Sequence, residues 1–181
     1  MLTGDIFASY CAPIKTWNYA GEQDNDCYKL YPQWYNSPFS TAYTEVMQPW
    51  RKVVDCTSGT SPARAMATIV KVFGMSRITD KYGPIPYSQV GQDGKLTAPF
   101  DTQKAVYTKM FQELSDAITT LTANRTNDFS PNADQVFGGK VEKWIKFANS
   151  LKLRMAIRIR YADATLAEQM VKEAISTENG Q

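Results

Sequence analysis

Six aromatic residues, Trp17, Tyr19, Tyr28, Tyr31, Trp34 and Tyr35, fall within 19 positions, well above the 12% aromatic content of the whole chain. Glu22, Gln23, Asp24, Asn25 and Asp26 stand among them. Flat rings cover the apolar C–H faces of sugars, and nearby amides and carboxylates bond to hydroxyls. The stretch therefore has the residue types of a platform for a sugar or a peptide. The same rings would equally pin a long loop onto a helical body, and residue type does not separate the two uses. These six are the candidate ligand-binding residues.

Other chemistry is thinner. From Lys140 to Arg160 there are seven Lys/Arg and one acid, Glu142. Lys143, Lys146, Ser150, Arg154 and Arg158 follow helical steps along one side. Such a face suits an anionic lipid surface or an acidic partner, or it is a solvated face paired with acids of neighbouring helices, with Glu113, Asp116 and Glu173 as candidates. Glu113 and Asp116 lie three apart on one segment, whereas a hydrolase pair needs two carboxyls across a cleft. The chain has no histidine, so no serine or cysteine has the usual activating base. Cys11, Cys27 and Cys56 form no CxxC pair, and neither GxSxG nor a phosphate-cradling glycine motif occurs. The expectation is no enzyme, no metal and no cofactor. A net charge of +2 gives no reason to expect nucleic acid.

The elements that must position these residues read as helices. Residues 3–12 suggest one short helix, and 13–36 read as loop because Pro13, Gly21 and Pro32 interrupt them. Ser37-Pro38 predicts a helix start, with serine as cap and proline at the first position. Tyr43, Val46, Met47, Trp50, Val53 and Val54 then mark one apolar face over 38–55. Ser61-Pro62 repeats the signal. Ala65, Met66, Ile69, Val72, Phe73 and Ser76 follow over 62–81, with Gly83 as a left-handed cap and Pro84 beyond it. The short turn between these two helices predicts antiparallel neighbours.

Residues 83–100 read as loop, with Pro84-Ile85-Pro86 extended. Asp101 is expected to cap a third helix carrying Val106, Met110, Leu114, Ala117, Ile118 and Leu121 and ending near Asn124. After a polar connection through Asp128, Pro131 and Gly138-Gly139, a helix over 141–158 buries Trp144, Ala148, Leu151, Met155 and Ile159, widened by Phe147 and Leu153. Asp163 begins a further helix through Leu166, Met170, Val171, Ala174 and Ile175. No segment alternates as a half-buried strand does. The fold class expected is all-α: antiparallel, tetratricopeptide-like helix pairs with long irregular loops.

Two stretches carry a family resemblance. Arg77-Ile78-Thr79-Asp80-Lys81-Tyr82-Gly83-Pro84-Ile85-Pro86-Tyr87-Ser88 resembles the D-x-Y-G-x-I-P-Y turn of SusD/RagB outer-membrane proteins. Trp144-Ile145-Lys146-Phe147-Ala148-Asn149-Ser150-Leu151-Lys152-Leu153-Arg154-Met155-Ala156-Ile157-Arg158 resembles that family's W-x-K-F-A-N-S-L-x-L-R-x-A-x-R helix. Val106-Tyr107, Glu113-Leu114 and Ala117-Ile118 resemble the helix between them, and order and spacing agree over 61–162.

The resemblance implies a lipoprotein on the extracellular face of the outer membrane. It would be non-catalytic, capping a TonB-dependent SusC-like transporter and handing it oligosaccharide or, in some branches, peptide. It also implies that residues 1–181 are the N-terminal and central helical part of a SusD-like domain, with signal peptide, lipid-anchor region and C-terminal portion absent. Cys11 is not expected to be the lipidated cysteine. Two other readings are a tetratricopeptide-like scaffold that holds a protein or peptide and no sugar, and a helical glycosidase fragment, which would need an acid pair facing a cleft.

Overall fold

The computed structural model describes residues 32–91 and 97–176. They fall into two units, one ending at Thr41 and one beginning at Ala42. In the first lies most of helix α1, Pro32–Ala42. This corrects the expected start at Ser37. Pro32 presets the φ of a first turn as well as Pro38 does, and an internal proline forfeits one i→i−4 bond without ending the helix. Within this helix Ser40 donates its hydroxyl to the Ser37 carbonyl at 3.1 Å.

In the second unit a π-helical turn, Tyr43–Met47, leads into α2, Gln48–Cys56. Pro49 has no N–H to offer the carbonyl four residues back, which accounts for a widened turn at this point. α3 spans Pro62–Tyr82, α4 Gln103–Ala123, α5 Val141–Ile159 and α6 Ala164–Ile175. Each packs antiparallel on the one before. Trp50 Nε1 donates to Thr68 Oγ1 at 3.1 Å, while Tyr43 reaches past the far end of α3 to the Pro86 carbonyl at 2.7 Å. Lys71 meets Glu113, and Tyr107 meets Asp80. Lys152 meets both Ser115 of α4 and Glu173 of α6. These are the expected helix pairs.

The expected stripes of the middle helices supply most of the core, whereas of the 38–55 stripe only Met47 is buried and Ile175 of the last stripe is 50% exposed. Ala65, Ile69 and Val72 of α3 are buried, as are all six stripe residues of α4 and Trp144, Ala148, Leu151 and Met155 of α5. The buried face of α5 is wider than its stripe, taking in Val141, Ile145, Asn149, Lys152 and Ala156, because α5 packs on both α4 and α6. At the end of α3, Gly83 has φ +76 and donates to the Thr79 carbonyl at 2.8 Å; the helix stops where the Gly-Pro punctuation predicts, but a ψ of −124 puts the glycine outside the left-handed helical cap expected. Ser61 precedes α3 without any side-chain cap bond.

Asp101 is not the cap of α4. Thr102 is, accepting from the Ala105 N–H at 3.3 Å. Asp101 turns back on the preceding loop and accepts from the Tyr87 and Ser88 N–H groups at 3.0 and 2.7 Å and from the Ser88 hydroxyl at 2.9 Å. Ile85 and Asp101 exchange two backbone bonds, an isolated antiparallel bridge that keeps Ile85 extended between its prolines.

Candidate functional site

Of the six candidate ligand residues, Trp17, Tyr19, Tyr28 and Tyr31 lie outside the described residues. Trp34 and Tyr35 belong to helix α1, not to a loop. Tyr35 is 41% exposed.

The described residues hold a second concentration of aromatic and charged groups that residue types alone did not single out. Trp50 comes from α2, Lys71 from α3, Tyr87 from the loop after α3 and Glu113 from α4. Lys71 is 2% exposed. Its ammonium donates to Glu113 Oε1 at 2.7 Å and lies 3.9 Å from the centre of the Trp50 ring and 4.7 Å from that of Tyr87. Tyr87 donates its hydroxyl to the other oxygen, Glu113 Oε2, at 2.6 Å.

A charge this deep is tolerable because a carboxylate and two ring faces replace its water. Burial nevertheless pulls the Lys71 ammonium below its ordinary value, and Glu113 opposes that pull. Burial, then the Glu113 charge, pushes the Tyr87 phenol well above its own. Both oxygens of Glu113 are thus engaged. Asp116, its neighbour in the acid pair, accepts from Gln112 at 2.8 Å. No hydrolytic pair is assembled here.

Above this cluster opens a cleft of about 390 Å³. Its lining includes Trp50, Lys71, Tyr87 and Glu113 together with Arg51, Arg64, Lys109 and Asp116. The volume suits a small ligand or one end of a larger one. A hint was present in the sequence: Lys71 stands within the apolar run Ile69-Val70-Lys71-Val72, where a lysine needs a buried partner.

A second cleft of about 600 Å³ lies between the start of α4 and the end of α5. Its charges are paired: Arg158 with Asp80 at 2.6 Å and Lys104 with Asp163 at 3.1 Å. Tyr107 donates to Asp80 Oδ1 at 2.6 Å, and burial followed by that bond raises its phenol.

The basic face of α5 is exposed, as its spacing predicts. Of the acids expected to neutralise the segment, Glu173 takes Lys152, whereas Glu113 and Asp116 are occupied elsewhere. Arg158 finds Asp80 and Lys140 finds Asp128 instead. No group of three or more acids or cysteines among the described residues is placed to hold a metal ion. No described helix is long and apolar enough to cross a membrane.

Comparison with known proteins gives a consistent picture. A family model described as SusD-like, Susd and RagB outer membrane lipoprotein, matches residues 1–181. No curated protein matches the chain. Among solved structures, a SusD homologue from Bacteroides thetaiotaomicron is 33% identical with a TM-score of 0.83, over 96% of this chain and 35% of its own. A chitin-binding SusD homologue from Flavobacterium johnsoniae is 33% identical with a TM-score of 0.79, over 84% of this chain and 32% of its own. A SusD homologue from Bacteroides uniformis is 47% identical with a TM-score of 0.64, over 78% of this chain and 28% of its own. The chain therefore spans about a third of the length of these relatives.

Proposed function

This chain belongs to the SusD-like family of outer-membrane lipoproteins, and on that premise we propose that it is part of a surface glycan-binding protein of a nutrient-uptake system. It binds without catalysis and delivers oligosaccharide to a TonB-dependent SusC-like transporter on the extracellular face of the outer membrane. Residues 1–181 form the N-terminal and central helical part of the SusD-like domain. The observation that carries this reading is the likeness to the chitin-binding homologue, at 33% identity over 84% of the chain. The sugar contacts are Trp17, Tyr19, Tyr28, Tyr31, Trp34 and Tyr35, whose rings suit the C–H faces of pyranoses. The α2–α6 helix pairs serve as the scaffold.

The test is a saccharide-panel pull-down with the full-length protein, alongside Trp17→Ala and Trp34→Ala variants. Loss of an aromatic sugar contact is expected to weaken binding by about tenfold, from roughly 1–1.5 kcal/mol of stacking and burial. Retention that survives both substitutions would move the site away from the 17–35 segment. No retention of any saccharide would overturn the glycan reading and favour peptide cargo or a plain interaction scaffold.

A further inference from the structure

We infer that the cleft between α2, α3 and α4 is a binding site for the carboxylate of an acidic sugar, so that the glycan taken up carries uronic acid residues. The inference rests on the glycan-binding reading above and adds the charge class of the ligand.

The argument is one of unmatched charge over a shaped floor. Four cations, Arg51, Arg64, Lys71 and Lys109, and two carboxylates, Glu113 and Asp116, line the cleft. Two of the cations are already matched. Lys71 is held by Glu113 at 2.7 Å, and Arg51 by Asp55, outside the lining, at 3.2 Å. Arg64 and Lys109 have no carboxylate partner among the described residues. Of the two carboxylates, Glu113 is matched by Lys71, while Asp116 keeps its charge because Gln112 is a neutral donor, so two unmatched cations face one unmatched carboxylate. An excess of positive charge thus faces a concave space. Lys109 lines the same cleft as Lys71.

The remaining wall fits a sugar better than a bare ion. Trp50, half-buried, is anchored by its indole N–H on Thr68 Oγ1, so its ring is fixed before any ligand arrives. Tyr87, also in the lining, is fixed by Glu113 at its hydroxyl. Because Tyr87 is only 4% exposed, the half-buried indole is the ring left for a ligand, and a fixed indole beside a guanidinium and an ammonium group is the complement of a pyranose with one carboxylate. Each charge-assisted bond formed there adds to the differential binding of the acid over its ester. The second cleft, with its charges paired internally, offers no such excess.

The experiment compares a tetramer of galacturonic acid with its methyl-esterified, uncharged counterpart by titration calorimetry on the full-length protein. Wild type is run beside Arg64→Ala and Lys109→Glu, with a neutral saccharide panel in parallel. Lys109 is exposed, so Lys109→Glu folds even if Arg64→Ala, at a half-buried position, does not. The expected result is about tenfold or more tighter binding of the acid than of the ester, reflecting one or two bonds to a charged group. That margin shrinks in either variant, and at about 0.5 M salt relative to about 0.05 M. Neutral saccharides are unaffected by the substitutions.

Equal binding of acid and ester, or acid binding indifferent to both variants, overturns the inference. If neutral saccharides still bind in that case, the glycan reading stands without it. If no saccharide of either kind binds, both fall together. Binding of a tetraglutamate peptide through the same two residues, without any binding of the acidic sugar, also overturns it and makes the ligand a peptide.

Discussion

Asp134 is 3% exposed and accepts four hydrogen bonds. Oδ1 takes the Val136 and Phe137 N–H groups at 3.0 and 3.2 Å, and Oδ2 takes the Gly139 N–H at 2.9 Å and the Trp144 indole N–H at 2.7 Å. One carboxylate thereby folds the connection before α5 and seats the tryptophan of the family-like helix. An asparagine could serve one side only, because its NH₂ would face two donors on the other. Asp134→Ala is expected to cost about 3 kcal/mol by stranding the buried indole N–H and backbone donors, read as a lowered urea midpoint.

The same group sets an acid limit. Burial alone would raise the Asp134 carboxyl, but the indole and backbone N–H groups aimed at it outweigh burial and hold it below the ordinary 3.8. A folded-state value below the unfolded one gives stability that is complete above the unfolded value and lost as pH falls through the folded one. Stability is therefore expected to fall below about pH 4, and less steeply in Asp134→Asn, which has no carboxyl to protonate. Gly139 completes this corner with φ +81. A Cβ there would sit 2.1 Å from the Phe129 carbonyl oxygen, so no other residue fits without moving backbone.

At the scale of elements, helix starts differ in what holds them. α4 and α6 have working caps, Thr102 on the Ala105 N–H and Asp163 on the Leu166 N–H. α5 has no cap from Lys140 itself but takes Asp128 Oδ1 on the Val141 N–H at 3.2 Å. α3 has Ser61 in the cap position without the bond. Thr102→Ala is accordingly expected to cost about 1 kcal/mol, whereas Ser61→Ala should change stability by less than about 0.5 kcal/mol. Thermal melts of the two single variants check this pair, and equal losses would show that serine caps α3 in solution. Asp101→Ala should loosen the Tyr87-Ser88 loop and leave the α4 start in place, since the cap is its neighbour.

Across the whole molecule, one ion pair ties the elements around the cleft together. Lys71 and Glu113 join α3 to α4, and the Tyr87 hydroxyl brings in the loop. Lys71→Met leaves Glu113, whose side chain is only 14% exposed, without its cation. The expected loss is about 3–5 kcal/mol. Lys71→Met/Glu113→Gln removes both charges and is expected to recover most of that loss. A denaturant-based double-mutant cycle measures the coupling. Strict additivity of the two single variants would show that the pair contributes by packing alone.

What the sequence by itself determined was the all-α class, most of the stripes of α3, α4 and α5, the Gly83-Pro84 stop and the family. These depend on local periodicity, on the φ preferences of glycine and proline, and on motif spacing, all of which the chain states directly. It did not determine that α1 begins at Pro32, since two prolines satisfy the same first-turn geometry. Nor did it separate Asp101 from Thr102 as cap, because both residue types accept a backbone N–H and only the loop's return selects between them. The Trp50-Lys71-Tyr87-Glu113 cluster was decided by tertiary structure alone. Its members come from four segments, and a buried charge acquires its partners only when antiparallel packing brings residues 71 and 113 to the same level.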